Sequence, residues 1–202
     1  MYCRYVIIDL LGHGTFGQVV KCRVEKTNQL VAIKVVKNRA AYYSQSLMEI
    51  SVLNMVGAPY LFEACARIFT EMVSKLNVEF DPEGRYPITR LLNYFVYRQH
   101  LCLVFELLSM SLYDLLRQTQ FRGCSLHLVR MFATQILDAL ILLDRARIAH
   151  CDLKPENILL VSPTSPQIKL IDFGSACHEE QTMYFYIQSR FYRAPEVILG
   201  LP

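Results

Sequence analysis

The segment after the glycines of Gly12-His13-Gly14-Thr15-Phe16-Gly17 narrows the fold more than anything else in the chain. This glycine spacing serves a dinucleotide fold only when a helix starts straight after the third glycine, with an acidic residue about twenty positions on. Here Gly17 runs into Gln18-Val19-Val20-Lys21-Cys22, which reads as a strand, and residues 5–11 (YVIIDLL) before the glycines form another β-branched run. The glycines therefore read as a hairpin turn, and the strand after Gly17 argues strongly against a dinucleotide-dependent oxidoreductase. Lacking Cβ atoms, such a turn lets backbone amides approach phosphate oxygens. Residues 30–36 add a third strand after the turn-like Lys26-Thr27-Asn28, which predicts an antiparallel meander.

After Ser44 the period changes from two to 3.6. Met48, Val52, Met55 and Val56 share a helical face, with Glu49 beside it near the helix start. Phe62, Cys65, Phe69, Met72, Val73 and Leu76 predict a further amphipathic helix, and Asp81-Pro82-Glu83-Gly84 a turn. Residues 91–97 and 101–106 form a second hairpin. Ser111 opens a short helix, with Asp114 at capping-box spacing. Ser125 opens a longer one, whose Val129, Phe132, Ala133, Ile136, Leu137 and Leu140 are expected to face the core. Strands, a hinge, then helices predict an α+β chain in two lobes, divided at residues 106 and 107.

Lys34 closes the apolar run Val31-Ala32-Ile33-Lys34. A buried ammonium is costly unless compensated, and anionic phosphates together with the Glu49 carboxylate would compensate it. Further on stand His150-Cys151-Asp152-Leu153-Lys154-Pro155-Glu156-Asn157, then Asp172-Phe173-Gly174, then Ala194-Pro195-Glu196. In this order, behind the glycine turn and the lysine, these segments resemble the catalytic loop, magnesium-binding tripeptide and activation-segment end of protein kinases.

That resemblance implies the bilobal kinase fold and an ATP-dependent serine/threonine kinase using Mg2+ and acting on protein substrates. Phosphoryl transfer passes through a loose transition state, so the enzyme mainly positions reactants and neutralises charge. Asp152 would take the substrate hydroxyl's proton, and Lys154 would pair with the moving γ-phosphate. Asn157 and Asp172 would supply oxygen ligands to magnesium. Lys34 would hold the α- and β-phosphates, steadied by Glu49. Phe105 resembles the residue at the back of the adenine pocket, and the backbone from Glu106 to Leu108 would read the base edge. Leu11, Gly12, Gly14, Gly17, Val19, Ala32 and Leu159 complete the nucleotide's expected surroundings.

The match sharpens at Cys151, where most kinases carry arginine, and at Tyr184-Phe185-Tyr186-Ile187-Gln188-Ser189-Arg190-Phe191-Tyr192-Arg193. Here the chain resembles the dual-specificity tyrosine-regulated (DYRK) kinases, and through Ile171–Glu179 and Asn38–Glu49 their Yak branch. The resemblance implies autophosphorylation of Tyr186, with Tyr184 matching the first family tyrosine. Arg190 and Arg193 are the expected partners of the new phosphate.

Two departures temper this. Kinases continue well past the Ala-Pro-Glu motif, whereas this sequence ends at Pro202, so only the first part of a large lobe is expected, and an inactive fragment or scaffold is the alternative function. Residues near 57–80 also look inserted relative to the family. A net charge of +3 is too small to imply a nucleic-acid or membrane partner, and no apolar run looks long enough to span a bilayer. Seven scattered cysteines without a CxxC pair fit reduced thiols, hence an intracellular protein in cytosol or nucleus.

Overall fold

A computed structural model describes residues 4–14, 17–37, 72–179 and 187–201. The strands β1 (Tyr5–His13), β2 (Gly17–Val24), β3 (Leu30–Val36), β4 (Leu91–Tyr97) and β5 (His100–Glu106) form one sheet in the order β1-β2-β3-β5-β4. Every neighbouring pair is antiparallel. The expected meander and second hairpin are thus present. The insertion of β5 between β3 and β4 is a long-range choice that local pattern does not encode.

Strand alternation divides the sheet's side chains into two sets. Cys22 pairs with Val31 and Ile33 with Val104, and these belong to a buried cluster with Val24 and Cys102. The other parity aligns Gly12 with Val19, Val19 with Lys34, and Ala32 with Phe105. Because successive side chains point to opposite faces, the apolar core on one side leaves Val19, Ala32, Lys34 and Phe105 together on the other. β4 and β5 are joined through Arg98 and Gln99, both at positive φ (46° and 61°), as the twist of a two-residue hairpin demands.

The second compact unit comprises Lys75–Thr89 and Leu108–Pro202. Lys75–Thr89, expected with the first lobe, belongs here instead: Thr89 N donates to Leu170 O (3.0 Å), Leu170 N donates to Pro87 O (2.8 Å), and Asn77 Nδ2 donates to Thr89 O (3.2 Å). Of the amphipathic helix expected before it, Met72, Val73 and Leu76 are buried; its earlier members lie outside the described residues, as does most of the 57–80 segment. The Asp81–Gly84 turn is present, and the Asp81 carboxylate accepts from the amides of Arg85 and Tyr86.

Helix α1 (Leu112–Gln118) starts with the predicted Ser111–Asp114 capping box. Helix α2 (Leu126–Arg145) is capped by Ser125, and its Gln135 side chain ties Pro166 O and Ile168 N to it. The expected core stripe needs correction: Phe132, Ala139, Leu142 and Leu143 are buried, whereas Val129, Ala133 and Leu137 are exposed. The helix is apolar over a wider arc than one neighbour covers, so periodicity alone could not choose its buried side. By length and composition α2 is also able to cross a membrane, contrary to the expectation of no such run, and its buried side chains are Phe132, Ala139, Leu142 and Leu143. Shorter strands β6 (Ile148–Ala149), β7 (Ile158–Leu160), β8 (Ile168–Leu170) and β9 (Cys177–His178) pair as β6–β9 and β7–β8, and α3 (Pro195–Ile198) comes last.

A Cβ on Gly17 would run into the Val35 carbonyl. Gly17→Ala is expected to lower stability by about 1–3 kcal/mol through forced movement of β3, measured as a shift of the urea midpoint; an unshifted midpoint would show that the strands separate freely there.

Candidate active site

The residues expected to bind nucleotide in the first unit fall on adjoining strands. Leu11 and Gly12 end β1, Gly17 and Val19 begin β2, Ala32 and Lys34 lie on β3, and Phe105 and Glu106 close β5. Gly14 N donates to Gly17 O (2.9 Å), and Lys37 Nζ donates to Gly14 O (2.8 Å), which ties the glycine turn to the end of β3. Glu106 has a structural task as well: its carboxylate accepts from the Arg90 amide at 2.9 Å. Glu49, the expected partner of Lys34, lies outside the described residues.

In the second unit the catalytic-loop residues converge on one carboxylate. Asp152 Oδ2 accepts from Lys154 Nζ (2.7 Å) and Asn157 Nδ2 (3.1 Å), while Oδ1 accepts from Ser189 Oγ (2.7 Å). Asn157 Nδ2 also donates to the Asp152 carbonyl at 2.8 Å, and Lys154 Nζ to Ser189 Oγ at 2.7 Å. The Lys154 and Asp152 side chains are only 20% and 13% exposed, so this ion pair is shielded from solvent and held by hydrogen bonds from neighbouring groups. Local backbone explains the convergence. Pro155 starts a 3-10 turn, Pro155–Asn157, which folds Asn157 back onto Asp152.

Beneath this carboxylate His150 is 5% exposed. Its Nδ1 accepts from Asp152 N (3.2 Å), so Nε2 carries the proton and donates to Ile171 O (3.0 Å). The ring stacks edge-on against buried Phe173, with centroids 4.9 Å apart. Asn157 O accepts from Ile171 N at 2.9 Å, which brings Asn157 next to the residue preceding Asp172. Asp172 is itself held at φ 61°, a left-handed conformation unusual for a residue with a side chain.

Magnesium requires hard oxygen donors, usually one or two from the protein, with phosphate and water completing the shell. Asn157 uses its amide nitrogen on Asp152 and keeps its oxygen as donor, and Asp172 contributes a carboxylate, so the pair fits the ion. Among the described residues no group of three His, Cys, Asp or Glu side chains forms a closed metal cage.

The activation segment is anchored from residue 187 onward. Gln188 N donates to Cys151 O (3.0 Å), Ala194 N donates to Gln188 Oε1 (2.5 Å), and the Arg193 guanidinium donates to the carbonyls of Ile187 and Gln188, each at 2.9 Å. Tyr184 and Tyr186 lie outside the described residues, and Arg190 is on an exposed 3-10 turn, Arg190–Tyr192. Leu159 lies on β7, opposite Lys169 of β8, and Leu108 opens the second unit. The residue that sequence reasoning missed is Ser189. It lies thirty-seven positions from Asp152, and its only signal was its place between the activation-loop tyrosines and Ala-Pro-Glu.

Residues 5–201 match the protein kinase domain family. The chain belongs to the protein kinase family. It is 56% identical over 98% of its length to the serine/threonine-protein kinase ppk15 of Schizosaccharomyces pombe, covering 33% of that protein. It is 52% identical to the dual specificity protein kinase YAK1 homolog of Arabidopsis thaliana and 49% identical to the dual specificity protein kinase YAK1 of Saccharomyces cerevisiae, again over 98% of this chain. The kinase chain thus spans about a third or less of these curated relatives, 19% and 22% of the latter two. Their names agree with the expected Yak branch of the kinase family.

Burial holds the His150 imidazole below its ordinary value of 6.5, outweighing the charges of Asp172 and Asp152 that favour protonation. Below that value the unfolded chain binds a proton that the folded one refuses, so the contribution of His150 to stability is complete above pH 6.5 and is lost as pH falls towards the folded value. An NMR titration of His150 should give a midpoint below 6.5, with denaturant stability declining over the same interval; a midpoint above it would contradict the neutral tautomer.

Proposed function

We propose that this kinase domain transfers the γ-phosphate of ATP to serine or threonine hydroxyls of protein substrates. One observation carries this reading: Asp152 Oδ1 already bonds a serine hydroxyl at 2.7 Å while Lys154 and Asn157 hold Oδ2. A carboxylate so fixed can orient an incoming hydroxyl and accept its proton. Lys154, bonded to both Asp152 and Ser189, is positioned to neutralise charge on the transferring group without reorganising. Asn157 and Asp172 would hold magnesium, which when bound neutralises phosphate charge. Val19, Ala32 and Phe105, flanking Lys34 on one face of the sheet, would accept the apolar adenine while Lys34 takes the phosphates.

Autophosphorylation of Tyr186 is part of the same proposal. Arg193 already lies against the carbonyls of Ile187 and Gln188, next in the chain to that tyrosine, and a phosphate of roughly −1.5 to −2 charge would draw a guanidinium strongly. Free thiols at all five described cysteines support an intracellular setting. The kinase-domain match and the kinase relatives do not favour the inactive alternative.

Asp152→Asn is expected to slow phosphate transfer to a Ser/Thr peptide by about 10²–10⁴-fold, with magnesium-dependent stabilisation by ATP retained in a thermal shift. An unchanged rate would remove Asp152 from the reaction. Mass spectrometry of the chain incubated with ATP should find phosphate on Tyr186 and none in the Asp152→Asn chain; unphosphorylated Tyr186 in active protein would refute the autophosphorylation.

A further inference from the structure

Phosphoryl transfer makes no use of the cation that ends helix α2. Arg145 lies in the last turn, where the helix dipole favours a positive charge, and its Nη1 donates to the Tyr86 hydroxyl at 2.9 Å. Among the described residues this phenol is the one polar partner of the Arg145 side chain, and no carboxylate balances its charge. Of the described tyrosines, Tyr86 alone has a cation on its hydroxyl. Tyr5 accepts from the neutral Asn93 amide, and Arg98 lies over the ring of Tyr97. Tyr86 follows Asp81-Pro82-Glu83-Gly84-Arg85, an irregular turn with Gly84 at φ 67°. The residue is half-buried, while the bond to its hydroxyl lies at the surface. We propose that Tyr86 is a phosphotyrosine site whose phosphate is received by Arg145, clamping residues 81–89 onto the end of α2. This goes beyond the catalytic reading and stands whether or not the domain transfers phosphate itself.

The reaction calls for ATP and a separate tyrosine kinase. The Tyr86 oxygen attacks the γ-phosphorus, the bond to ADP breaks, and the phenolic proton passes to the carboxylate base of that kinase. Tyr86 suits the part of acceptor. Its oxygen receives the Arg145 bond, and no described group takes its proton. Asp81 and Glu83 make the residues before it acidic, a charge pattern that a basic substrate cleft attracts. Once attached, the phosphate brings roughly −1.5 to −2 charges and three acceptor oxygens to a guanidinium already in place. A bond to a neutral phenol becomes a charge-assisted pair that a planar fork can make twice. The carbonyl end of α2, with about −0.5 charge, opposes this. A guanidinium in direct contact carries a full opposite charge and outweighs it. Nearby carboxylates are occupied: Glu83 pairs with Arg85, and Asp81 accepts the Arg85 and Tyr86 amides. The clamp reaches the catalytic unit through the backbone. Tyr86 O accepts from Ile88 N (2.8 Å), Pro87 O accepts from Leu170 N (2.8 Å), and Thr89 N donates to Leu170 O (3.0 Å). Leu170 stands two residues before Asp172, so holding Tyr86 steadies the strand that leads to that carboxylate.

The test uses the 202-residue chain in its Asp152→Asn form, so that its own activity adds no phosphate. Incubation with ATP and a purified acidophilic tyrosine kinase should place phosphate on Tyr86, mapped by mass spectrometry, and Tyr86→Phe should lose that peptide. Modification of Tyr86 in the urea-unfolded chain but not in the native one would overturn the site. Phosphotyrosine incorporated genetically at position 86, in the same background, isolates the clamp. Its urea midpoint should lie about 0.5–1 M above that of the unmodified chain. Arg145→Gln should abolish the gain, and Arg145→Lys should restore part of it. A tyrosine phosphatase should remove the phosphate about tenfold more slowly from this chain than from its Arg145→Gln variant. The phosphatase rates decide alone if the urea transition is not cooperative. A midpoint unchanged or lowered by the phosphate, or equal phosphatase rates with and without Arg145, would overturn the clamp.

Discussion

The arrangement of the second unit depends on the Asp152 carboxylate. Three side-chain donors reach it, from Lys154, Asn157 and Ser189, and its amide is held by His150. Leaving a shielded carboxylate with fewer partners would be costly, because its charge would lack the hydrogen bonds that offset its removal from water. Each donor thus also ties a separate part of the unit to the one carboxylate. Asn157 links the carboxylate to Ile171, Ser189 links it to the anchored activation segment, and His150 passes through Phe173 into the buried core. Removing one donor leaves the others facing an incompletely satisfied charge, so their effects are expected to be strongly non-additive.

The first unit solves a different problem, that of presenting Lys34 on the sheet face opposite the buried cluster. Parity does most of it. Cys22, Val31, Ile33 and Val104 must be buried on one face, which sends Val19, Ala32, Lys34 and Phe105 to the other. A one-residue slip between β2 and β3 would exchange the sets and bury Lys34 in the core. Gly17 lies against the Val35 carbonyl, where a side chain would collide with β3. The hydrophobic core therefore fixes the register, and the register fixes the position of the lysine.

Much of this was legible in the amino-acid sequence because local chemistry encodes it. The capping serines at 111 and 125, the strand alternation around Lys34 and the order of the catalytic motifs each read directly. What was not legible depends on distance. Thr89 and Leu170 pair across a long stretch of chain, so nothing near residues 75–89 marked them for the second unit. The outward side of α2 was unreadable for the opposite reason, since Val129, Ala133 and Leu137 are as apolar as the residues that are buried. Ser189 lacked any motif of its own, and its role emerges only when its hydroxyl meets Asp152.

Three residues in the loops around the Asp152 carboxylate adopt left-handed backbone: Cys151 at φ 60°, Asp172 at 61° and Gln188 at 67°. Such positions are sparsely populated and persist only where surrounding bonds over-determine them. Here the bonds are evident. Gln188 N is tied to Cys151 O, and the Gln188 side chain accepts the Ala194 amide. Asp172 Oδ1 accepts the Gly174 amide at 3.4 Å while Ile171 before it is held from both His150 and Asn157. Glycine would relieve the backbone at each position, yet it would remove the thiol, the carboxylate and the amide that the strain serves to aim. Strain here is tolerated because the bonds that hold these residues also fix the loop around the Asp152 carboxylate.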